Sequence, residues 1–127
     1  MMPGYLIDTH ILIWWLEGSE KLSTKVRDVL KNGENTIYFS SGAIWEMVIK
    51  QSLGRLDMPD NIEDVLRSES IDVLPITAPH ALAVADRPHH HRDPFDRIQI
   101  AQAQHEGLVL ISQDREFEKY AVRLLKA

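Results

Sequence analysis

The sequence predicts a single α/β domain in which a three-layer α/β/α sandwich surrounds a central, mostly parallel sheet of four to five strands. Short β-branched or apolar runs alternate with segments of helical period, the order expected of parallel sheets wrapped by helices. The run LVLIS at 108–112 is apolar throughout, as in strands buried on both faces. A length of 127 residues suits one domain spanning 1–127.

Local signals predict the elements of the first half of the chain. GYLID at 4–8 is typical of a short buried strand, and the polar turn DTH follows it. The β-branched and aromatic run TIYFS predicts a second strand at 36–40. Helices are predicted between and after these strands, each ended by a glycine: 10–17 before Gly18, 24–32 after the cap Ser23 and before Gly33, and 42–53 before Gly54.

The second half continues the alternation and adds three strands. Asp60 or Asn61 opens a helix that runs to about Ser68, and Pro79 opens another that runs to about Asp86. The predicted strands are IDVLPI at 71–76, LVLIS at 108–112 and a short edge strand in VRLL at 122–125.

The helix at 94–106 begins in the stretch HRDPFDRIQIAQAQ. Asp93 fits the N-cap and Pro94 the first helical position. Asp96 is then the third helical residue, where a carboxylate favours the free amides and the positive end of the helix dipole. Capping alone could explain both acids, and this stretch taken by itself favours that structural interpretation.

Composition excludes several classes of protein. There is no cysteine, so disulfides and thiolate metal sites are ruled out, and we expect a cytoplasmic protein. The apolar N-terminal stretch lacks a basic segment and is interrupted by Asp8 and His10, unlike a signal peptide or a membrane span. A net charge of −5 argues against a protein that coats nucleic acid with a basic face.

Four acids are expected to converge at the carboxyl edge of the sheet, where parallel sheets bind their ligands. Asp8 ends the first strand, Asp114 follows the fourth, Glu46 lies early in the helix after the second strand, and Asp96 opens the helix that precedes the fourth. Each acid alone has a structural explanation, such as a cap or an Asx turn. Four together repel one another, and their pKa values rise unless a cation neutralises them.

The predicted ligands are all oxygens, which suits Mg²⁺ or Mn²⁺. One such ion, or two roughly 3.5–4 Å apart, could activate a water molecule and stabilise the leaving oxygen of a phosphodiester. The residues thus predict a hydrolytic metal site.

Four motifs, in order and spacing, resemble the PIN-domain ribonucleases, most closely the VapC-like toxins of toxin–antitoxin pairs. They are LIDTHILIWWL, S-x-x-x-x-WE-x-x-IK, HRDPFDR-x-x-IAQA and ISQD-x-x-F, and they span Tyr5 to about Leu124. The resemblance implies a PIN-like fold, an Mg²⁺- or Mn²⁺-dependent endoribonuclease that cleaves RNA, a cognate antitoxin, a homodimer and no membrane. It maps the acidic quartet of catalytic and metal-binding residues onto Asp8, Glu46, Asp96 and Asp114.

Further residues are predicted to support the site or contact RNA. Thr9 is the hydroxyl residue that follows the first acid, and Asp93 caps the helix rather than binding metal. Relatives often carry a serine where this chain has Ala43, so Ser40 and Ser41 are the remaining hydroxyls there. Lys50 is one of the basic residues that could bind phosphates. Arg92 and Arg97 are the preferred candidates, because they flank the acidic start of the helix.

Histidines and tryptophans have competing interpretations. Consecutive residues of an extended loop point to different sides, so His89, His90 and His91 favour a solvated loop over a metal site, with His91 the one predicted to touch RNA. Trp14, Trp15 and Trp45 could stack bases but are more often core or interface residues at helical positions. Trp14, Trp15 and Leu22 are predicted to be exposed and to form a dimer or antitoxin interface.

Two other function classes remain open from the sequence. A receiver-like phosphotransfer domain also gathers aspartates and Mg²⁺ at strand ends, but it would need an early acidic pair and a lysine after a late strand. A catalytically inert interaction module would use the acids only to bind a basic partner.

Overall fold

Five parallel strands form the central sheet of the computed structural model, which describes residues 4–86, 93–119 and 123–127. The strands are β1 (Gly4–Ile7), β2 (Thr36–Ser40), β3 (Ile71–Leu74), β4 (Val109–Ser112) and β5 (Leu124–Lys126), in the order β3-β2-β1-β4-β5. Every neighbouring pair is parallel, so all the carboxyl ends lie at one edge. The predicted fold class is confirmed, with a sheet that is parallel throughout.

Six α-helices connect the strands. They are α1 (Thr9–Glu17), α2 (Thr24–Lys31), α3 (Ser41–Ser52), α4 (Ile62–Ser68), α5 (Ala78–Ala83) and α6 (Pro94–Glu106). Short 3₁₀ turns follow at Val84–Asp86 and Arg115–Lys119. None of the helices in the described ranges is long and apolar enough to cross a membrane.

The two faces of the sheet bury separate apolar clusters. Adjacent residues Leu6 and Ile7 of β1 belong to different clusters, as expected for side chains that alternate across a strand. Ile7 packs with residues of α1 to α4, whereas Leu6 packs with Ile100 and Ala103 of α6. The sheet is therefore the middle of three layers.

Element boundaries differ from the predictions by one to three residues, for local reasons. The third strand ends at Leu74 instead of residue 76 because Pro75 has no backbone N–H to donate to a neighbouring strand. The helix expected to run from Pro79 to Asp86 begins at Ala78 and tightens into a 3₁₀ turn after Ala83. The edge strand is shifted to Leu124–Lys126.

Helix α3 approaches α6 closely at Gly42, which helps to place the acid-bearing parts of both helices together. A Cβ atom at Gly42 would lie 3.0 Å from Ile76 Cδ1 and 3.3 Å from Ile98 Cγ2. A larger residue at position 42 would therefore require the side chains of Ile76 and Ile98 to shift by a few tenths of an ångström.

Candidate active site

Asp8 lies where β1 passes into α1, and its carboxylate is held from two sides. Oδ1 accepts a hydrogen bond from the backbone N–H of Ile11 at 3.0 Å and thereby caps α1. Oδ2 accepts a hydrogen bond from the Ser112 hydroxyl, at the end of the neighbouring β4. Asp8 thus caps α1 with one oxygen, while the other oxygen is oriented by a residue that lies 104 positions away in sequence.

Asp114 is fixed by the same serine. Its backbone N–H donates to Ser112 Oγ at 3.0 Å, and its Oδ1 accepts from the backbone N–H of Glu116 at 2.9 Å. This is the Asx-type turn expected from the sequence. The Ser112 hydroxyl therefore couples the first and last acids of the predicted quartet.

Glu46 reaches the same edge from the second turn of α3, and it is only 8% exposed. Its Oε1 accepts from the Thr9 hydroxyl at 3.4 Å, and its Oε2 lies 3.4 Å from the Lys50 ammonium. Thr9 thus contacts the site, as predicted. Lys50 therefore supplies a positive charge beside Glu46, although the sequence favours Arg92 and Arg97 as phosphate-binding residues.

Asp93 and Asp96 approach from the start of α6. Asp93 is the N-cap, and its Oδ1 accepts from the Phe95 backbone N–H at 2.8 Å. Asp96 lies in the first turn of this helix.

All four predicted acids line one cavity of about 130 Å³. Its walls combine carboxylates with a few neutral or basic side chains: Asp8, Thr9, His10, Glu46, Lys50, Asp93, Asp96, Gln99, Gln113, Asp114 and Phe117. We call this space the acidic cavity.

The electrostatics of the acidic cavity disfavour negative charge. Burial first, and then repulsion from neighbouring carboxylates, together raise the pKa of Asp96 to about 7; the neighbours are Asp93, Glu46, Asp114 and Asp8. Burial also raises the pKa of Asp8, although the hydrogen bonds from Ser112 and Ile11 and the nearby His10 oppose the shift. The cavity is thus a place where a cation would relieve repulsion.

The donor chemistry of the acidic cavity fits a hard divalent cation. Residues with carboxylate side chains, from the end of β1, from α3, from the start of α6 and from the turn after β4, line one space, and oxygen is the donor that Mg²⁺ and Mn²⁺ prefer. The chain has no cysteine that would favour a softer metal.

Two predicted supporting residues make contacts outside the acidic cavity. The Ser41 hydroxyl accepts from the backbone N–H of Ile76 at 3.1 Å, so it joins α3 to the segment after β3. Arg97 Nη2 donates to the Val84 carbonyl at 2.8 Å, so it ties α6 to the 3₁₀ turn. Neither lines the acidic cavity. The loop predictions for His89, His90, His91 and Arg92 fall outside the described residues.

Sequence reasoning missed Ser112, Gln99 and Gln113 at the site. Ser112 ends an apolar strand, and its place beside Asp8 follows from the pairing of β4 with β1. Gln99 follows Asp96 by three residues, a spacing that puts both on one side of a helix. That spacing was the available signal.

The predicted exposed interface on the first two helices is only partly present. Leu22 is 3% exposed and belongs to the core, so it was wrongly assigned to a surface. Trp14 and Trp15 are half-buried and pack against that core. Trp45 of α3 is instead 62% exposed, with its ring edge-on to Phe95 at a centroid distance of 5.3 Å.

A histidine cluster lies apart from the acidic cavity, between α5 and the end of α6. His80 Nε2 is 2.8 Å from Glu106 Oε2, and His105 Nε2 is 4.0 Å from the same oxygen. His80 Nδ1 accepts from the Thr77 backbone N–H at 3.0 Å, so in the neutral ring the proton is on Nε2 and points to Glu106. This pairing suits a bridge between helices better than a metal ligand, whose second nitrogen normally donates.

Solved structures of similar fold include components of several two-protein complexes. VapBC2 from Rickettsia felis, bound to a DNA fragment from their promoter, matches with a TM-score of 0.73 and 15% identity over 98% of both chains. DNA-bound VapBC from Salmonella typhimurium gives 0.69 and 18%, again over 98% of both chains. A toxin–antitoxin complex from Klebsiella pneumoniae gives 0.60 and 22% over 89% of both chains.

Sequence comparison gives the family. No curated protein sequence matches the chain significantly. The family model described as PIN domain, however, matches residues 5–123. That span contains every residue that lines the acidic cavity and all of the sheet except Gly4 of β1 and the edge strand β5. Because the match covers nearly the whole chain, this protein belongs to the PIN-domain family.

Proposed function

We propose that this protein is an Mg²⁺- or Mn²⁺-dependent endoribonuclease and the toxin of a toxin–antitoxin pair. The observation that carries the proposal is the convergence of Asp8, Glu46, Asp96 and Asp114 on one cavity, with the pKa of Asp96 raised to about 7. Such crowding is unfavourable for a purely structural set of acids and favourable for a cation site.

The four carboxylates would hold one or two cations. Bound there, the cation would activate water and stabilise the leaving oxygen of a phosphodiester. The chain's own residues prepare this site. Ser112 orients Asp8 and the turn that carries Asp114, while Thr9 and Lys50 restrain Glu46. Since Asp96 tends to hold a proton below about pH 7, cation binding would release protons and strengthen as the pH rises.

RNA is the substrate that the family motifs favour, and the cavity offers one means of receiving its backbone. Lys50 is the one lysine or arginine among the described residues that line the acidic cavity. Its side chain is partly exposed, so it can reach a phosphate once a cation neutralises Glu46.

An antitoxin partner and a homodimer belong to the same proposal. Chains of this fold occur in the VapBC complexes of Rickettsia felis and Salmonella typhimurium and in a toxin–antitoxin complex of Klebsiella pneumoniae. These likenesses support the search for a small antitoxin reading frame beside the gene of this protein.

The decisive experiment is cleavage of single-stranded RNA by the purified protein. We expect cleavage with Mg²⁺ or Mn²⁺, none with a chelator, and none with Asp8→Asn in the presence of metal. Glu63→Gln, at an acid of α4 that lies away from the acidic cavity, is the matched control and should cleave normally. If Asp8→Asn cleaves as fast as the parent, the proposed nuclease site is wrong.

The two alternative functions predict other results. An inert interaction module would bind a basic partner but would cleave RNA under none of these conditions. A receiver-like domain would be phosphorylated on an aspartate. The strand order β3-β2-β1-β4-β5 differs from the 2-1-3-4-5 order of receiver-type folds, which argues against that alternative.

A further inference from the structure

Gln99 is a buried polar residue whose side chain is only half satisfied. It is 1% exposed, and its Nε2 donates to the Phe95 carbonyl at 3.3 Å. Its Oε1 is buried and has no hydrogen-bond partner within the described part of the chain. Buried acceptors of this kind are uncommon and costly, so a role that needs one is worth seeking.

The position of Gln99 points to such a role. Gln99 follows Asp96 by one helical turn on α6, and both residues line the acidic cavity. Gln102, one turn further on, is a useful comparison because it is equally buried and its Oε1 also lacks a partner. Gln102, however, donates to the Leu74 carbonyl at 3.2 Å and does not line the cavity.

We infer that Gln99 is a positioning residue of the cation site, whose side-chain oxygen accepts a hydrogen bond from water held in the acidic cavity together with the divalent cation. This inference rests on the proposed function. Mg²⁺ characteristically keeps several water molecules when it binds to protein carboxylates. Those waters are hydrogen-bond donors, and the carboxylates that bind the cation have fewer oxygens left to accept from them.

A glutamine suits this task because of its neutrality. Five carboxylates already line the cavity, those of Asp8, Glu46, Asp93, Asp96 and Asp114. Another carboxylate at position 99 would add to the repulsion that raises the pKa of Asp96. An amide offers an acceptor without that charge, whereas an apolar side chain would leave the water unsatisfied.

The test is direct titration of Mn²⁺ by calorimetry, without RNA, into the parent, Gln99→Met, Gln102→Met and Asp96→Asn. Methionine keeps the length and the unbranched shape of glutamine. We expect Gln99→Met to weaken Mn²⁺ binding about tenfold, the usual effect of removing a partner that orients a metal site. Gln102→Met should bind Mn²⁺ like the parent, because its side chain does not line the acidic cavity.

Melting of the metal-free proteins and a second substitution separate this role from a purely structural one. Without metal, Gln99→Met should melt no lower than the parent, since it removes an unsatisfied buried oxygen. Gln99→Glu keeps an acceptor and adds a charge, so it should bind Mn²⁺ at least as tightly as the parent but melt lower without metal.

The outcomes that overturn the inference are distinct from those that overturn the proposed function. If the parent binds Mn²⁺, Asp96→Asn does not, and Gln99→Met binds like the parent, the role of Gln99 is wrong and the metal site stands. Equal weakening by Gln99→Met and Gln102→Met would also overturn it, because the effect would then be general. If the parent protein binds no Mn²⁺, both the role of Gln99 and the proposed metal site are wrong.

Discussion

Asp96 combines a helix-start position with a carboxyl group that resists ionisation. Its pKa is raised from 3.8 to about 7, so between those pH values the folded protein binds more protons than the unfolded chain. The free energy of unfolding of the metal-free protein should therefore fall as the pH rises through that window. We expect the parent, in a chelator, to melt lower at about pH 8 than at about pH 5.

Asp96→Asn should remove the part of the pH dependence of stability that Asp96 causes, and it should also abolish RNA cleavage. Without metal at about pH 8 the variant should melt no lower than the parent, and added Mg²⁺ should raise its melting temperature less. Melting curves at the two pH values, with and without Mg²⁺, make the measurement. An Asn variant that loses as much stability as the parent between the two pH values would contradict this assignment.

Ser112 should prove important for cleavage although it is not an acid. Its hydroxyl donates to Asp8 and accepts from the Asp114 N–H, and Ser112 is fully buried. Ser112→Ala should cost about 1–3 kcal/mol of stability, because the buried Asp8 carboxylate and the partly buried Asp114 N–H each lose a hydrogen-bond partner. Cleavage should fall at least about tenfold, as for other residues that orient metal ligands.

Ser23→Ala is the control for Ser112→Ala. The Ser23 hydroxyl caps α2 by accepting from the Val26 N–H at 3.2 Å, away from the acidic cavity. Its loss should lower the melting temperature with no change in cleavage. If Ser112→Ala and Ser23→Ala cleave RNA at equal rates, Ser112 has only a structural role.

Residue positions were predictable from the sequence where chain topology dictates them. The four acids could be brought together because strand ends and helix starts meet at one edge of a parallel sheet. The locations of Ser41 and Arg97 could not be predicted, since a side chain's choice among nearby carbonyls and N–H groups depends on packing details. Ser112 and Gln99 are harder to predict, because their only signals are strand pairing and helical spacing, and a neutral side chain does not itself indicate a cation site.

At the scale of the element, the start of α6 carries two aspartates with different expected roles. Asp93 caps the helix, and Asp96 is the proposed metal ligand. Asp93 accepts from the Phe95 N–H, a bond that serine can replace and alanine cannot. Asp93→Ser should therefore keep the stability and most of the cleavage, whereas Asp93→Ala should lose about 1 kcal/mol of stability. Denaturant unfolding and RNA cleavage of both variants provide the measurements. If Asp93→Ser is as inactive as Asp96→Asn, Asp93 belongs with the metal ligands.

The order and type of the helices and strands could be predicted from the sequence, whereas the residues at which they begin and end were predicted less accurately. Hydrophobic period and capping residues placed α2 and α6 within a residue of their observed bounds. The end of β3 was missed because the apolar run continues through Pro75, where strand pairing stops. The 3₁₀ turn at Arg115–Lys119 has no comparable apolar period and was not predicted.

At the scale of the whole molecule, the charge of the acidic cavity predicts how a partner would inhibit it. A guanidinium is planar, always charged and able to bind a carboxylate through two hydrogen bonds. We expect an arginine of the antitoxin to lie near Asp8, Glu46 and Asp96 and to compete with the cation. Inhibition of cleavage should then weaken as the Mg²⁺ concentration rises. With an antitoxin in which that arginine is changed to alanine, inhibition should no longer depend on the Mg²⁺ concentration.

The measurement is residual RNA cleavage at fixed antitoxin and increasing Mg²⁺. Binding of the two proteins, followed separately, distinguishes a lost inhibitory contact from a lost complex. Inhibition that is indifferent to both Mg²⁺ and the arginine would refute the competition but leave the partnership intact.

The bond between Asp8 and Ser112 also bears on when the chain becomes active during synthesis. β1 is made first but needs β4, about a hundred residues later, as one of its two neighbours. Contacts of such long sequence separation form late, because a large loop must close before they contribute. A nascent chain that ends before β4 holds Asp8 and Glu46 without Asp114 or the serine that orients Asp8. If the chain is the proposed ribonuclease, ribosome-bound intermediates should therefore be unable to cut the message being translated.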